Sequence, residues 1–413
     1  MRVLFTAHGA YGHVLPMMGV ARALADGGHE VRVATGKALC PIVASLGLPA
    51  VPAGMSDDTL VAEAHDRWPE TEHKPPASWV ARMFTDIAAP TMVDDLAPIV
   101  ASWRPDLIVR EEGEHGGPVA AAAAGITWVT HGWGSPLPSR TVVEDLARGV
   151  EPLWRAAGLA APGPDGLYGA AVLDPCPPSL YGEEGPPIRG RPVRASAVAA
   201  SADRHPRRSL SGRPLAYVGF GTVPLYRDQP ELIAIVVQAL LSHDLDAVIT
   251  TGDAQLARRL SSLDPERVQV EQWLSLPRLL EACDLVVSHG GAGTALAALA
   301  AGVPLLLLPR GAPSQARMSR ACGARGAARV VVSGPVTPAD FDDALATLTA
   351  DDRFRAAARQ LASEIAATPG PDDAARFLHA LVGDHKTRTR RPPAILPSAC
   401  AAWRIPPVTS EPS

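Results

Sequence analysis

The chain has 413 residues, 47% of them hydrophobic and 20% charged, enough for two domains of ordinary size with sizeable cores. Its formal net charge of −5, with both signs mixed, speaks against a nucleic-acid or acidic-membrane partner. No apolar run reaches the length of a membrane span.

Residues 2–7 form an apolar strand at the very start, leaving no room for a signal peptide, and a soluble cytoplasmic protein is expected. The loop His8-Gly-Ala-Tyr-Gly-His13 follows, then a helix over 14–25 with Pro16 in its tolerant first turn. A strand over 30–35 completes a βαβ opening. A helix over 41–47 and a strand over 49–51 come next. Residues 54–78 read as a polar mobile loop, and 78–102 as helix. A strand over 106–110 exits through Glu111-Glu-Gly-Glu-His115, followed by a helix from 117 and a strand over 126–130. Ligands gather at the carboxyl ends of parallel strands, and His13 and Glu111 both sit at such ends. Residues 135–170 read as one or two helices, 174–178 as irregular, and 195–213 as an interdomain linker.

Strand–helix alternation then resumes from 215, with the turn Gly219-Phe-Gly-Thr222 after the first strand. Val286–Pro309 is the most informative stretch: a buried strand, the loop His289-Gly290-Gly291-Ala292-Gly293, an Ala/Leu helix from about Thr294, and a second apolar strand. Gly302 and Pro304 end the helix. A glycine loop opening into a helix N-terminus suits a phosphate or diphosphate, though such turns also occur without ligands. Helices are expected over 337–350, 352–368 and 371–381, and residues beyond 385 as a disordered tail. The five cysteines are scattered without metal-ligand spacing, so free thiols and no zinc site are expected.

These residues carry a resemblance. His289-Gly-Gly-Ala-Gly-Thr294, with Ala300-Ala-Gly-Val-Pro304 after it, resembles the donor signature of GT-B nucleotide-sugar glycosyltransferases, specifically the family 1 enzymes that glycosylate bacterial natural products. Gly12-His-Val-Leu-Pro16 is similar to that family's acceptor-side histidine motif, and Leu173-Asp-Pro-Cys-Pro-Pro-Ser-Leu180 to a stretch common in its antibiotic branch. The resemblance implies an α/β GT-B fold of two facing Rossmann-like domains, an acceptor domain over 1–194 and a donor domain over 214–370. A helix over 371–384 would cross back to the first domain. It implies an inverting, metal-independent transfer from a nucleotide sugar, commonly a deoxythymidine-diphosphate deoxysugar, to a hydrophobic acceptor. A homodimer and a helper protein stay open as partners.

Sugar transfer to a hydroxyl needs a base, and His13 stands at the family's position for it. Glu111 stands where the family has an orienting aspartate. His8 is the alternative base; Glu112 and Glu114 are alternative carboxylates. Gly12 belongs to the nucleotide-sugar set, as do Gly221 and Thr222 at a phosphate- or sugar-contacting turn. Trp273 is expected to stack on the base, and His289, Gly290, Gly291, Gly293 and Thr294 to hold the diphosphate. One departure stands out: the family's Asp-Gln pair for sugar hydroxyls reads Ser314-Gln315 here. A neutral hydroxyl replaces a charged acceptor, which points to a donor lacking a hydroxyl there or carrying an altered group. Two rival readings are a non-catalytic nucleotide-binding homologue and a nucleotide-sugar epimerase. A nicotinamide dehydrogenase is disfavoured because Gly9 and Gly12 alone do not make G-x-G-x-x-G.

Overall fold

The computed structural model describes residues 1–69, 79–183, 185–195, 212–222, 229–260, 263–331 and 337–388. The central residues of the expected linker and most of the expected tail lie outside them. Two parallel sheets organise the chain. The first has β1 (Arg2–Thr6), β2 (Glu30–Thr35), β3 (Ala50–Pro52), β4 (Leu107–Glu111), β5 (Thr127–His131), β6 (Val172–Asp174) and β7 (Arg191–Pro192), in the order 3-2-1-4-5-6-7. The second has β8 (Leu215–Gly219), β9 (Asp246–Thr250), β10 (Val268–Glu271), β11 (Leu285–Ser288), β12 (Leu305–Leu307) and β13 (Ala328–Val330), in the order 10-9-8-11-12-13. Central strands such as Leu107–Glu111 and Leu285–Ser288 are buried throughout; their apolar residues are covered on both faces, and the charged Arg110 and Glu111 that end the first are buried with them. In each sheet the order reverses beside the first strand, and β1 and β8 there end next to β4 and β11.

Several expectations need correction. Residues 54–78 are not one loop: Asp57–Arg67 is a helix capped by Ser56, whose Leu60 and Ala64 pack with Trp68, Trp79, Met83 and Ile87. Its polar outer face hid a narrow apolar stripe; residues 70–78 lie outside the described set. The next helical stretch runs from Trp79 to Trp103 and widens into a π turn at Met83–Ala88. Short strands β6, β7 and β13 were missed, since two or three residues carry no readable period and need a neighbour's ladder. The helices Arg140–Ala156 and Ala254–Leu260 stand where one or two helices and nothing, respectively, were expected. Pro313–Ala324 is also helical, which the sequence reading did not state.

The last helix, Pro371–Arg388, runs past the expected end at 384. Ala374, Ala375, Leu378 and Val382 enter the same core as Met17, Met18, Ala21 and Leu24, so it packs on the first half of the chain. The stretch after β6 joins the halves as well: Cys176 and Leu180 pack into the core under the second sheet, and Ser179 donates from N and Oγ to Glu364 at 2.9 and 2.5 Å. Cys40, Cys176, Cys283 and Cys322 are free; Cys400 lies outside the described residues. No helix among the described residues is long and apolar enough to cross a membrane.

Candidate functional site

β1 and β4 pair in parallel, so the loop after Thr6 and the end of β4 lie side by side. The helix Tyr11–Asp26 starts earlier than expected and carries His13 in its first turn. Glu111, the last residue of β4, has a fully buried side chain. Its Oε1 accepts from His13 Nδ1 at 2.8 Å. A carboxylate can only accept, so Nδ1 carries the proton and Nε2 is left as the basic nitrogen. The other oxygen, Oε2, accepts from the Gly113 N–H at 2.6 Å and the Trp133 indole at 2.5 Å. The extra methylene of glutamate is thereby taken up in a three-donor cradle.

Burial alone would lift the Glu111 carboxyl, but the His13 charge and hydrogen bond, then His8 and the Gly113 N–H, hold it at about 2. Burial likewise opposes a charged His13, yet the Glu111 carboxylate outweighs it, with Asp57 and Glu112 adding, and the imidazole titrates above its usual value. The His13 side chain is 18% exposed, so the ring is held but reachable.

The other candidates separate cleanly. His8 is buried, donates Nε2–H to the Gly113 carbonyl at 3.0 Å and stacks on Phe84 at 4.6 Å, a ring carried by the π turn. Burial pushes it down to about 4, so it is neutral with that nitrogen already engaged. Glu114 accepts from the Gly116 and Gly117 N–H groups and from Thr6 Oγ1, anchoring the start of a helix. Glu112 faces the second half of the chain, with Oε1 3.9 Å from Arg317, and burial raises it to about 7 despite that neighbour.

The second half of the site lies at the ends of β8 and β11, paired at Gly219 and Ser288. The His289 ring is wedged between two glycines. A Cβ on Gly221, at φ +80°, would lie 2.9 Å from its Cε1, and one on Gly291 would lie 2.5 Å from its Nε2. Gly290, at φ +82°, backs onto the helix Pro313–Ala324, where a Cβ would meet Ser319 Oγ at 2.5 Å. Gly221 and Gly291 therefore leave room for the same ring, and Gly290 for the neighbouring helix. The helix itself begins at Ala292, two residues before the expected start, with neither a capping side chain nor an acidic residue in its first turn. Among the described residues no capping side chain answers its first N–H groups, an arrangement suited to an anion. Gly293 is exposed and a Cβ there meets nothing; Thr294 is half-buried. Burial lowers His289 to about 4 against a hydrogen bond to the Gly219 backbone. To donate a second N–H to an anion the ring must take up a proton, which the anion's own charge favours.

Gly291→Ala puts a methyl into the His289 ring. Overpacking of this kind costs about 1–3 kcal/mol, so affinity for the diphosphate expected at this loop should fall about 5- to 150-fold. Calorimetric titration with thymidine diphosphate reads this directly, and unchanged affinity would show that His289 does not contact such a ligand.

The remaining predicted residues divide. Trp273 lies between β10 and the helix Leu276–Leu280 and meets Tyr11, from the helix of His13, at 5.1 Å across the two halves. Thr222 is half-buried beside Gly221; a Cβ on Gly12 would meet nothing within 4 Å. Ser314 is half-buried in the first turn of its helix. Gln315 is buried and its Oε1 accepts from the Arg310 N–H at 2.9 Å, so this carboxamide oxygen shapes the loop before it. Sequence reasoning missed Trp133, Asp57 and Arg317. Trp133 did carry a signal: a tryptophan between two glycines at the carboxyl end of a parallel strand.

Two matches to one family cover most of the chain. The N-terminal domain of the family described as erythromycin biosynthesis protein CIII-like matches residues 22–191, and its C-terminal domain residues 234–381. The elloramycin glycosyltransferase ElmGT of Streptomyces olivaceus is 34% identical over 405 residues, covering 93% of this chain and 98% of that protein. The L-demethylnoviosyl transferase of Streptomyces niveus is 30% identical, covering 90% and 96%. Among solved structures, the Streptomyces sp. SF2575 glycosyltransferase SsfS6 complexed with thymidine diphosphate superposes with a TM-score of 0.74 at 27% identity, covering 92% of this chain and 99% of that one. The spinosyn rhamnosyltransferase SpnG complexed with spinosyn aglycone gives 0.74 at 26%, covering 92% and 100%.

Proposed function

Because this chain belongs to the erythromycin biosynthesis protein CIII-like family of GT-B natural-product glycosyltransferases, we propose that it transfers a deoxysugar, with inversion, from a deoxythymidine-diphosphate donor to a hydroxyl of a hydrophobic acceptor. The observation that carries the reading is the 2.8 Å contact between His13 Nδ1 and the buried Glu111 carboxylate. It directs the basic Nε2 toward the acceptor proton. As that proton moves to Nε2, the acceptor oxygen bonds to the anomeric carbon and the bond to the diphosphate oxygen breaks. The developing negative charge on the diphosphate falls to His289 and the uncapped N–H groups of the Ala292–Ala300 helix, dipoles that need no reorganisation. Thymidine diphosphate is the nucleotide bound in the solved neighbour SsfS6, which supports the choice of donor.

Ser314 bears on the sugar. It supplies a neutral hydroxyl where the resembling enzymes carry a carboxylate, so a donor without a free hydroxyl at that position loses least. We expect deoxysugar donors to be used at least about tenfold faster than the glucose donor, from the 1.5–3 kcal/mol of a charge-assisted hydrogen bond. A panel of deoxythymidine and uridine donors with aglycones, read by mass spectrometry, tests both points. Glucose transferred as fast as the best deoxysugar would sink the Ser314 reading; no product with any pair would sink the function.

A further inference from the structure

We infer that Arg317 and the loop carrying Trp133 form a positioning link through which the donor half of the cleft sets the Glu111–His13 pair. The inference rests on the function proposed above and adds residues that the family signature does not contain.

Arg317 belongs to the helix Pro313–Ala324, on the second half of the chain. Its Nε donates to the Pro136 carbonyl, 181 residues away, at 2.8 Å. Its NH2 group stands 3.9 Å from Glu112 Oε1, and the side chain is 21% exposed against 5% for Glu112. One guanidinium therefore meets a carbonyl and a buried carboxyl of the other half, a task its planar fork suits. The same helix has the diphosphate loop behind it, because Gly290 packs directly on Gln315 and Ser319. The donor loop and the loop after β5 thus share one helix between them.

A second contact holds that loop. Gly134 lies so close to Leu296, on the helix Ala292–Ala300, that an added Cβ would stand 2.4 Å from its Cδ1. Trp133 sits immediately before these two anchors in the same loop. Its backbone N–H points to Glu112 Oε2 at 3.4 Å, its indole donates to Glu111 Oε2 at 2.5 Å, and its ring meets the His13 ring edge-on at 5.0 Å. A shift of either donor helix therefore reaches Trp133 through packed or hydrogen-bonded neighbours, and Trp133 touches both members of the pair. Such contiguity permits coupling; only an energetic test establishes it.

Simple interdomain glue makes a different prediction. Glue lowers stability or donor affinity but is indifferent to what stands at position 111. A positioning link loses its effect once the carboxylate it positions is gone. The test is a double-mutant cycle on the full chain, combining Arg317→Ala with Glu111→Gln, and using the best donor and aglycone of the panel. We expect Arg317→Ala to lower kcat about tenfold in the wild-type background and less than about threefold in Glu111→Gln. Thymidine diphosphate affinity and the donor KM should stay within about threefold. Trp133→Phe, which keeps the ring and removes the N–H, should lower kcat in the same way. Arg317→Lys keeps the charge, loses the Nε–H and should fall between wild type and Arg317→Ala; it replaces Arg317→Ala in the cycle should that variant not fold. Equal losses in both backgrounds, or a loss confined to KM, overturn the link. Absence of product with every donor and aglycone overturns the function itself and the link with it; retained turnover in His13→Ala overturns the base and the link, whereas additive losses beside an inactive His13→Ala overturn the link alone.

Discussion

His13→Ala is expected to lower transfer by about 10²–10⁴-fold, the usual worth of a positioned general base. Thymidine diphosphate should still bind within about twofold of wild type, because the nucleotide's proposed contacts lie at the ends of β8 and β11. The split follows from the architecture. His13 stands on the helix after β1 and His289 just after β11, and no described hydrogen bond joins the two rings. Neighbouring His8 cannot take over, since its Nε2–H is given to the Gly113 carbonyl and burial lowers its basicity to about 4. Near-normal turnover in the variant would end the assignment of the base.

Glu111→Gln should cost nearly as much, by about 10²–10⁴-fold in kcat, although it changes a single atom. Three donors surround this carboxylate: the His13 imidazole at Oε1, and the Gly113 N–H and the Trp133 indole at Oε2. An amide has one oxygen to offer. Turned toward Gly113 and Trp133, it presents its NH2 group to His13 and forces the proton from Nδ1 to Nε2, which can then no longer accept one. The pH profile supplies a second readout. Against the opposing effect of burial, Glu111 is what raises His13, so removing its charge lowers the imidazole pKa. The base works unprotonated, so the acidic limb of the remaining kcat/KM profile should move to lower pH. Asp57 and Glu112 also face His13 and remain, so part of the elevation persists. A limb that stays in place, or moves up, would show that Glu111 does not set the charge on His13.

Much of the donor side was legible in sequence. Gly302 does end its helix, at φ +69°, and β11 and β12 flank the loop within three residues of their expected bounds. The reason is locality: a glycine's freedom, the helix preference of alanine and leucine, and an unbroken apolar run act on the residues that carry them. The helix Asp57–Arg67 escaped because its apolar residues, Leu60 and Ala64, are few and find their partners in a later helix. Tertiary context overrode a polar segment. Ser314 was marked by its place in a motif, yet the same motif gave no hint that Gln315 would cap Arg310.

The acceptor side shows the division most sharply. Sequence alone determined that His13 and a group of carboxylates stand after parallel strands, since strand and loop positions follow from local pattern. Which carboxylate serves His13 was decided only in three dimensions. Glu111, Glu112 and Glu114 are near neighbours in the chain, but they meet, respectively, an imidazole 98 residues away, an arginine of the opposite half, and the start of the following helix. Burial strips each of water and pushes its carboxyl up; only at Glu111 do the neighbours outweigh it, and which neighbours each meets is set by packing between distant segments.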